Sequence, residues 1–327
     1  MTQVRVLNLV TNEESRFFKQ QVETLESRGV ESRTVSVPGT RVRTDDESSS
    51  RSVLDYLRFY PPVLTSSFGD YDLLHANYGL TAPAALAQPN LPVVLSLWGS
   101  DLMGEYGWLS KWCAKFADAV VVMSAEMAAE LDCETYVVPH GVDLERFAPE
   151  PQRDARERVG WRHDAHHVLF PYPETRKVKN YPRAERVVEA VREQFSGRLE
   201  LHTLFGVPHR QMPAYYNAAD ALLLTSRREG SPNSVKEALA CNLPIVSTDV
   251  GDVGERLVGV DLSTVARTDE GLVDGLLRVL RAGRRSNGRQ RAREVSLERM
   301  GEQLEGIYRR VVEDDSADVA QPATVGR

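Results

Sequence analysis

The sequence predicts an α/β protein built from two doubly wound units, each a parallel sheet covered by helices. Short apolar, β-branched segments alternate with amphipathic helical segments, and this alternation runs through the chain twice. A length of 327 residues also exceeds that of one ordinary core. The apolar fraction of 42% and the charged fraction of 27% are typical of a soluble globular protein. We therefore expect two domains of ordinary size.

Eleven segments have the composition of short strands. The first series is residues 4–10, 34–37, 73–76, 93–97, 119–123 and 135–138, and the second is residues 168–170, 199–204, 221–224, 245–247 and, more weakly, 260–263. The two series predict a first domain over residues 1–148, a linker over 149–166 and a second domain over 167–295. The carboxyl ends of both sets of strands are expected to face a crevice between the domains.

Three further segments have distinct patterns. Residues 15–29 predict the first helix, ended by Gly29. Residues 296–313 predict a last helix, because Met300, Leu304 and Ile307 lie at helical spacing. Residues 40–52 predict a flexible polar loop, and residues 314–327 lack apolar periodicity and predict a disordered tail.

Residues 219–256 carry most of the functional information. Strand 221–224 leads into a loop where Gly230 permits unusual backbone angles, Ser231 is a suitable N-cap and Pro232 a suitable first helical residue. The first N–H groups of a helix lack partners inside it, and the helix dipole places partial positive charge there. The tip therefore suits a phosphate group, with Asn233 and Ser234 as side-chain donors.

Two carboxylates flank this junction. Glu229 precedes the helix, and Glu237 lies one turn beyond Asn233 on the same face. A carboxylate near a phosphate would repel it, so both acids are expected to accept hydrogen bonds from neutral hydroxyls, Glu237 from a ribose and Glu229 from a sugar. The alternative is that they cap the helix and pair with Arg227 or Lys236.

The run 229–237 resembles the E-x7-E motif of the retaining family 4 glycosyltransferases, and the similarity extends over residues 3–312. The resemblance implies the GT-B fold, two Rossmann-like domains facing a central cleft, with the last helix crossing back to the first domain. It also implies that Glu229 holds hydroxyls of the donor sugar and that Glu237 holds the nucleotide ribose.

Cations are needed to hold a donor diphosphate, and the loop after strand 168–170 supplies three of them. Arg176, Lys177 and Lys179 precede a helix expected to begin near Tyr181 or Pro182, and this position resembles the basic loop of the family. Lys179 and Arg176 are predicted to contact the donor phosphates and stabilise the leaving group, and the alternative is a solvated surface loop. Lys177 is assigned to the surface.

The predicted acceptor side lies in the first domain. Trp98, Gly99, Ser100 and Asp101 resemble the family's histidine-glycine-serine-aspartate loop, although Trp98 replaces the histidine, so no histidine there can be given a catalytic role. Asp101 either caps a helix or faces the acceptor. The chain also departs from the family at His140, where asparagine is usual, and in residues 10–15, which lack paired glycines.

Several other motifs are assigned structural roles. Asp70 and Asp72 form a D-x-D pattern that is expected to be a solvated turn. His166 and His167 have no Cys or carboxylate at metal-ligand spacing and are interpreted as the edge of the linker. The arginine-rich residues 278–293 are interpreted as a solvated helix, with docking to an anionic membrane as the alternative.

Composition excludes several classes of function. A net charge of −7 argues against a general nucleic-acid binder, and no G-x-G-x-x-G or Walker loop follows a strand. Three scattered cysteines and the absence of a signal peptide or membrane-spanning run favour a cytoplasmic protein. Contact with the inner membrane face remains an alternative.

The resemblance therefore predicts a retaining glycosyltransferase. It would move a sugar from a nucleoside-diphosphate donor to a hydroxyl of a glycan, a lipid-linked acceptor or a small molecule, with no cofactor and no metal ion in the chemistry. The alternatives are a catalytically silent relative that binds a sugar nucleotide and a GT-B-fold nucleotide-sugar epimerase.

Overall fold

The structure of the protein, a computed structural model, describes residues 3–39 and 51–320, with side chains as far as residue 315. The predicted loop over residues 40–52 lies outside the described residues except for its last two positions. The final seven residues of the predicted tail also lie outside them.

Eleven strands are present in the described residues. They are β1 (Arg5–Val10), β2 (Glu31–Ser36), β3 (Leu73–Asn77), β4 (Val93–Leu97), β5 (Ala119–Val122), β6 (Tyr136–Val137), β7 (His166–Phe170), β8 (Leu199–Thr203), β9 (Ala221–Leu224), β10 (Ile245–Thr248) and β11 (Thr264–Ala266). They form two parallel sheets, with strand orders β2-β1-β3-β4-β5-β6 and β11-β10-β9-β7-β8. The predicted fold class, two doubly wound α/β units, is confirmed.

Helices flank both sheets. The described α-helices are α1 (Arg16–Ser27), α2 (Val53–Ser66), α3 (Ala82–Leu86), α4 (Gly107–Ala114), α5 (Ala125–Ala128), α6 (Gln152–Val159), α7 (Tyr181–Arg192), α8 (Met212–Ala218), α9 (Asn233–Ala240), α10 (Val253–Arg256), α11 (Asp269–Ala282), α12 (Arg289–Ala292) and α13 (Leu297–Ala320). Short 3-10 turns occupy Gly79–Thr81, Lys177–Lys179, His209–Gln211 and Arg293–Val295. Among the described residues, no helix combines the length and the apolar character needed to span a membrane.

Inner strands such as β4 and β9 are apolar and buried on both faces because helices cover both sides of a parallel sheet. In the second sheet, Leu222 and Leu224 of β9 pack with Val235 and Leu239 of α9 on one side. Leu223, from the same strand, packs on the opposite side with residues of α7 and α11. Alternation along β9 therefore divides the core into two layers and fixes α9 against the sheet.

The chain divides into two compact units, the first formed by Met1–Pro139 and Met300–Arg327 and the second by His140–Arg299. The segment predicted as a linker, residues 149–166, contains α6 and is folded into the second unit. Arg156 on α6 donates to both carboxylate oxygens of Asp220 at 2.9 and 2.8 Å, and Asp220 also accepts from the backbone of His167 at 2.6 Å.

Two boundary predictions were wrong. The last strand begins at Thr264 and not at residue 260, because Gly259 (φ 72°) and Leu262 (φ 56°) adopt left-handed backbone angles that interrupt a strand. The tail was predicted to begin at Asp314, but α13 continues to Ala320. No glycine or proline occurs between residues 314 and 320, and the next residue that breaks a helix is Pro322.

The arginine-rich segment 278–293 is not a single solvated helix, which corrects another prediction. The helix α11 ends at Ala282 with Gly283 in the left-handed conformation. Arg285 then donates to the carbonyl of Ala219 at 3.1 Å, and Arg289 donates to that of Leu144 at 2.7 Å. These two side chains turn inward and donate to backbone carbonyls instead of pointing into solvent.

His75 on β3 is buried in the first unit, where its ring nitrogens lie 2.6 Å from the Tyr308 hydroxyl and 2.7 Å from that of Ser96. Burial lowers the pKa of His75 to about 3. Protonation is therefore favoured in the unfolded chain, and the stability that neutral His75 contributes is lost progressively as the pH falls below about 6.5.

We expect the wild type to lose about 2 kcal/mol more stability than His75→Gln between pH 7 and pH 5, because the pKa difference costs about 1.4 kcal/mol per pH unit. Urea unfolding of both proteins at several pH values would measure this. Burial raises the pKa of Asp101 to about 6, so protonation of Asp101 stabilises the fold as the pH falls. Asp101 is present in both proteins, so its contribution cancels when their pH profiles are compared. Parallel pH profiles would contradict the prediction.

Candidate functional site

The junction between β9 and α9 has the predicted layout, displaced by one residue. Pro232 is extended (φ −68°, ψ 120°) and occupies the N-cap position, so the helix begins at Asn233. The hydroxyl of Ser231 does not cap the helix, because it donates to Asp252 at 2.7 Å. Gly230 lies in the same loop, where its carbonyl accepts from the Asp252 backbone at 3.0 Å.

Lys179 and Glu229 form an ion pair, and both are largely buried. The Lys179 ammonium also lies 3.9 Å from the ring centroid of Tyr172, a cation–π distance. Glu229 accepts a second hydrogen bond from the Ser226 hydroxyl at 2.6 Å, and the Tyr172 hydroxyl bonds to that of Ser234 in the first turn of α9. The structure thus brings a predicted phosphate ligand, a predicted sugar ligand and the helix tip around one tyrosine.

Backbone contacts hold the basic loop against the loop that carries Glu229. The amide of Arg227 donates to the Val178 carbonyl at 2.9 Å, and the Thr225 hydroxyl lies 3.1 Å from the Lys179 carbonyl. Asn180 is left-handed (φ 58°) and ends the 3-10 turn just before α7 begins at Tyr181. These contacts hold the two loops together, so the Lys179 side chain reaches Glu229 although the two residues lie in different loops.

The other two cations of the basic loop are exposed. The Arg176 guanidinium lies 5.6 Å from the ring centroid of Tyr172, so it shares this aromatic neighbour with Lys179. Lys177 is also exposed, at the start of the 3-10 turn. Lys179 is therefore the buried member of the three, and Arg176 lies beside it.

Glu237 lies on α9 in a second, adjacent group of side chains. Its Oε1 is 2.8 Å from Nε2 of His209, and its Oε2 accepts from the hydroxyl of Tyr216 at 2.7 Å. Burial raises the pKa of Tyr216 well above its usual value, and the carboxylate beside it raises it further, so the phenol stays protonated. A carboxylate accepts about four hydrogen bonds, so one such group can contact several partners at once.

Both acids have partners other than the local ones considered as an alternative, and Glu237 contacts His209 and Tyr216. Glu229 pairs with Lys179, from a different loop, and Arg227 is exposed. Lys236 is buried and donates to the carbonyl of His140 at 2.7 Å. Neither glutamate caps α9, whose N-cap is Pro232.

The loop after β10 braces the loop that carries Glu229. A Cβ at Gly251 would lie 2.2 Å from the Gly230 carbonyl oxygen, and Gly251 has φ +54°. We expect Gly251→Ala to destabilise the protein by about 1–3 kcal/mol and to weaken donor binding, because the Gly230 backbone must shift. Gly254→Ala is the matched control, since its nearest contact would be an ordinary 3.6 Å from Asp249. Thermal unfolding with and without nucleotide measures both effects; equal behaviour of the two variants would contradict them.

In the first unit, the predicted acceptor-side residues form a turn around Asp101. The buried carboxylate accepts from the backbone amides of Trp98 at 2.9 Å, Gly99 at 2.8 Å and Gly79 at 2.8 Å. Ser100 is exposed, and its hydroxyl is 2.9 Å from that of Tyr78. Asp101 therefore shapes the loop, whereas Ser100 presents a polar group at its surface.

Sequence reasoning missed four side chains that complete these groups: Tyr172, Ser226, His209 and Tyr216. Tyr172 had a usable signal, since it is an aromatic residue two positions beyond the end of β7, where ligands of parallel sheets bind. His209 and Tyr216 had none, because they come from the region between β8 and β9, more than 20 residues before Glu237.

The D-x-D pattern and the paired histidines, which the sequence assigned to structural roles, have the following contacts in the structure. Asp70 and Asp72 both pair with Arg5, and Asp72 also accepts from the Arg5 backbone at 2.7 Å. His166 and His167 do not form a linker edge, because they begin β7. His167 meets Glu200 and His202 of β8, so the interpretation that it has no metal-ligating neighbours was wrong. Spacing rules missed them because the neighbours come from the next strand.

Two family models match the chain. One, described as Glycosyltransferase Family 4, matches residues 3–146, and the other, described as Glycosyl transferases group 1, matches residues 180–282. Among curated proteins, TuaC of Bacillus subtilis (strain 168), a glycosyltransferase provisionally assigned to teichuronic acid biosynthesis, is 29% identical over 212 residues. The match covers 56% of this chain and 54% of that protein, so the chain spans about half the length of this relative.

Solved structures show the same fold. Sucrose-phosphate synthase from Thermosynechococcus elongatus superposes with a TM-score of 0.75 at 17% identity, over 95% of this chain and 100% of that one. HepE from Anabaena, solved in complex with UDP and glucose, gives a TM-score of 0.65 at 13% identity, over 94% of this chain and 99% of that one.

Two Rossmann-like α/β units of this topology define a GT-B protein. The chain belongs to the family 4, or group 1, glycosyltransferases.

Proposed function

We propose that the protein transfers a sugar from a nucleoside-diphosphate sugar to a hydroxyl group of an acceptor, with retention of anomeric configuration. The observation that carries this proposal is the buried Lys179–Glu229 pair on Tyr172, beside the start of α9. Membership of the glycosyltransferase family supports the reaction class. The complex of HepE with UDP and glucose supports the donor class.

In this proposal the donor nucleotide lies along α9. Glu237 accepts hydrogen bonds from the ribose hydroxyls, and Tyr216 and His209 hold its carboxylate in place. The diphosphate lies at the helix tip, where the N–H groups of the first turn and the side chains of Asn233 and Ser234 favour an anion. Gly230, Ser231 and Pro232 let the loop backbone approach it.

Lys179 and Arg176 supply the positive charge. When the donor binds, the Lys179 ammonium transfers part of its contact from Glu229 to the diphosphate, and Glu229 then accepts hydrogen bonds from the sugar. The two side chains are thus preorganised as a pair before the donor arrives, so little reorganisation is needed as charge develops on the leaving phosphate. Lys179, Arg176 and Glu229 are the catalytic residues in this scheme.

Transfer breaks the bond between the anomeric carbon and the phosphate oxygen and forms a bond from that carbon to the acceptor oxygen on the same face. The acceptor proton goes to the leaving phosphate oxygen, so neither a protein nucleophile nor a metal ion is required. Trp98, Gly99 and Ser100 are proposed to contact the acceptor, with Asp101 as the positioning residue of their loop.

The acceptor is proposed to be a glycan, a lipid-linked saccharide or a small molecule, and the protein to act in the cytoplasm. Cys113, Cys133 and Cys241 are free thiols, which is consistent with a reducing compartment. Burial raises the pKa of Cys113 to about 11 and that of Cys241 to about 12, so both stay protonated and unreactive.

The experiment is a panel of uridine, guanosine and adenosine diphosphate sugars, assayed with and without hydroxyl acceptors, with the anomer of each product assigned by NMR. We expect diphosphate release from one donor class and a product that retains the donor configuration. Binding without turnover for any acceptor would favour a silent relative. An epimerised nucleotide sugar formed without acceptor would indicate an epimerase, and an inverted product would refute retention.

A further inference from the structure

A group of metal-ligating side chains lies on one face of the second sheet. Glu200 and His202 are two residues apart on β8 and so share a face, and the register places His167 of β7 directly opposite Glu200. The three side chains therefore meet through strand pairing, although 33 residues separate the first from the second. None of them takes part in the proposed sugar chemistry.

The three ligand atoms form a compact triangle. Nδ1 of His167 is 2.8 Å from Nε2 of His202, and Oε2 of Glu200 is 3.7 Å from each of these nitrogens. The point equidistant from the corners of such a triangle lies about 2.0 Å from each atom, which is the length of a zinc–nitrogen or zinc–oxygen bond. An ion at that point would lie in the plane of the three atoms. Tetrahedral angles require the two nitrogens to separate, and Oε2 of Glu200 to approach both of them, by about 0.5 Å each.

The protonation state of His167 suits a ligand. Its Nε2 lies 2.8 Å from the carbonyl oxygen of Arg162, which only accepts hydrogen bonds, so Nε2 carries the hydrogen and Nδ1 presents its lone pair to the group. Metal-binding histidines commonly donate their second N–H to a backbone carbonyl in this way.

Neighbouring side chains orient all three groups. The Arg198 guanidinium donates to Oε1 of Glu200 at 2.7 Å and thereby leaves Oε2 on the histidine side. Trp161 stacks on His202, with ring centroids 3.8 Å apart, and on His167 at 4.9 Å. Stacking fixes the ring planes and leaves their edges, where the ligand nitrogens face each other, uncovered by Trp161.

We propose that His167, Glu200 and His202 bind one divalent transition-metal ion of the zinc class, with water as the fourth ligand. Two imidazoles and one carboxylate match the preference of Zn²⁺ for mixed nitrogen and oxygen ligands. On binding, the ion replaces the His167–His202 hydrogen bond, and His202 takes the tautomer with its hydrogen on Nδ1. Side chains of Glu200 and His202 are 25% and 20% exposed, so the ion and its water can enter from solvent. The ion would cross-link the edge strand β8 to β7.

The test is equilibrium dialysis of the full chain, made without a polyhistidine tag, against Zn²⁺, with bound metal measured by mass spectrometry and Co²⁺ absorption reporting the ligand geometry. We expect one ion per chain at micromolar affinity, a tetrahedral Co²⁺ spectrum and a raised melting temperature. His202→Gln and the double variant Glu200→Gln/His202→Gln should each bind at least about 100-fold more weakly.

His163→Gln is the matched control, because His163 is a half-exposed histidine on the preceding loop and is not a member of the group. It should bind Zn²⁺ as the wild type does. Circular dichroism would establish that the variants remain folded, which is expected because Glu200 and His202 are partly exposed. Loss of binding in His163→Gln, unchanged binding in the double variant, or no binding by the wild type would each overturn the proposal.

Discussion

Replacing Lys179 with methionine should reduce the rate of sugar transfer at least about 100-fold, the loss typical of removing one group that stabilises developing negative charge. It should also destabilise the protein by roughly 3 kcal/mol, because Glu229 would remain largely buried without its cation. Release of nucleoside diphosphate from the preferred donor would measure the first effect. Thermal unfolding would measure the second.

The double variant Lys179→Met/Glu229→Gln separates these two effects. It removes both charges, so most of the lost stability should return, whereas transfer should remain at the level of the single variant. Glu229→Gln alone should impair transfer more than it impairs binding of the nucleoside diphosphate, since its proposed contacts are with the sugar. A Lys179→Met protein that turns over within about threefold of the wild type would exclude Lys179 from the reaction.

Replacing Glu237 with alanine should weaken binding of the preferred nucleoside diphosphate at least about 100-fold. Hydrogen bonds to a charged group contribute about 1.5–3 kcal/mol each, and a ribose diol would make two of them. A thermal-shift comparison of uridine, guanosine and adenosine diphosphates would measure this: one diphosphate should stabilise the wild type and give a much smaller shift in the variant.

Tyr216→Phe is the companion variant for Glu237. It keeps the ring that packs against Phe147 and removes only the hydroxyl that donates to the carboxylate. We expect it to weaken binding by less than about fivefold, because the carboxylate that contacts the ribose is retained. If Glu237→Ala and the wild type show equal ligand-induced shifts, Glu237 does not belong to the nucleotide site.

The sequence predicted the positions of the strands and helices better than it predicted which distant residues contact each other. Buried strands such as β4 and β9 were located to the residue, because an apolar run between turn residues leaves little choice of boundary. Strand β11 was misplaced because its start depends on the left-handed backbone of Leu262, which is unusual for that residue type. The junction at Pro232 was predicted within one residue from local capping rules.

Contacts that join distant segments left no periodic signal. Glu229 was recognised as a ligand candidate. Its pairing with Lys179 depends on the turn that ends at Asn180, which sets the direction of the Lys179 side chain. The group around His167 was dismissed for the same reason, since its members come from two strands whose register is set by the whole sheet. Side-chain chemistry can be read from a sequence, whereas the pairing of strands and loops cannot be fixed by spacing alone.

The last helix has a consequence for the way the protein is made. Tyr308 is fully buried against His75, and Glu305 pairs with Arg28 at 2.8 Å, so the first unit contains residues from both ends of the chain. A ribosome delivers residues 1–139 long before it reaches this helix. The first unit must therefore wait until helix α13 has been synthesised to complete its core, and a nascent chain truncated before Met300 would leave it unfinished.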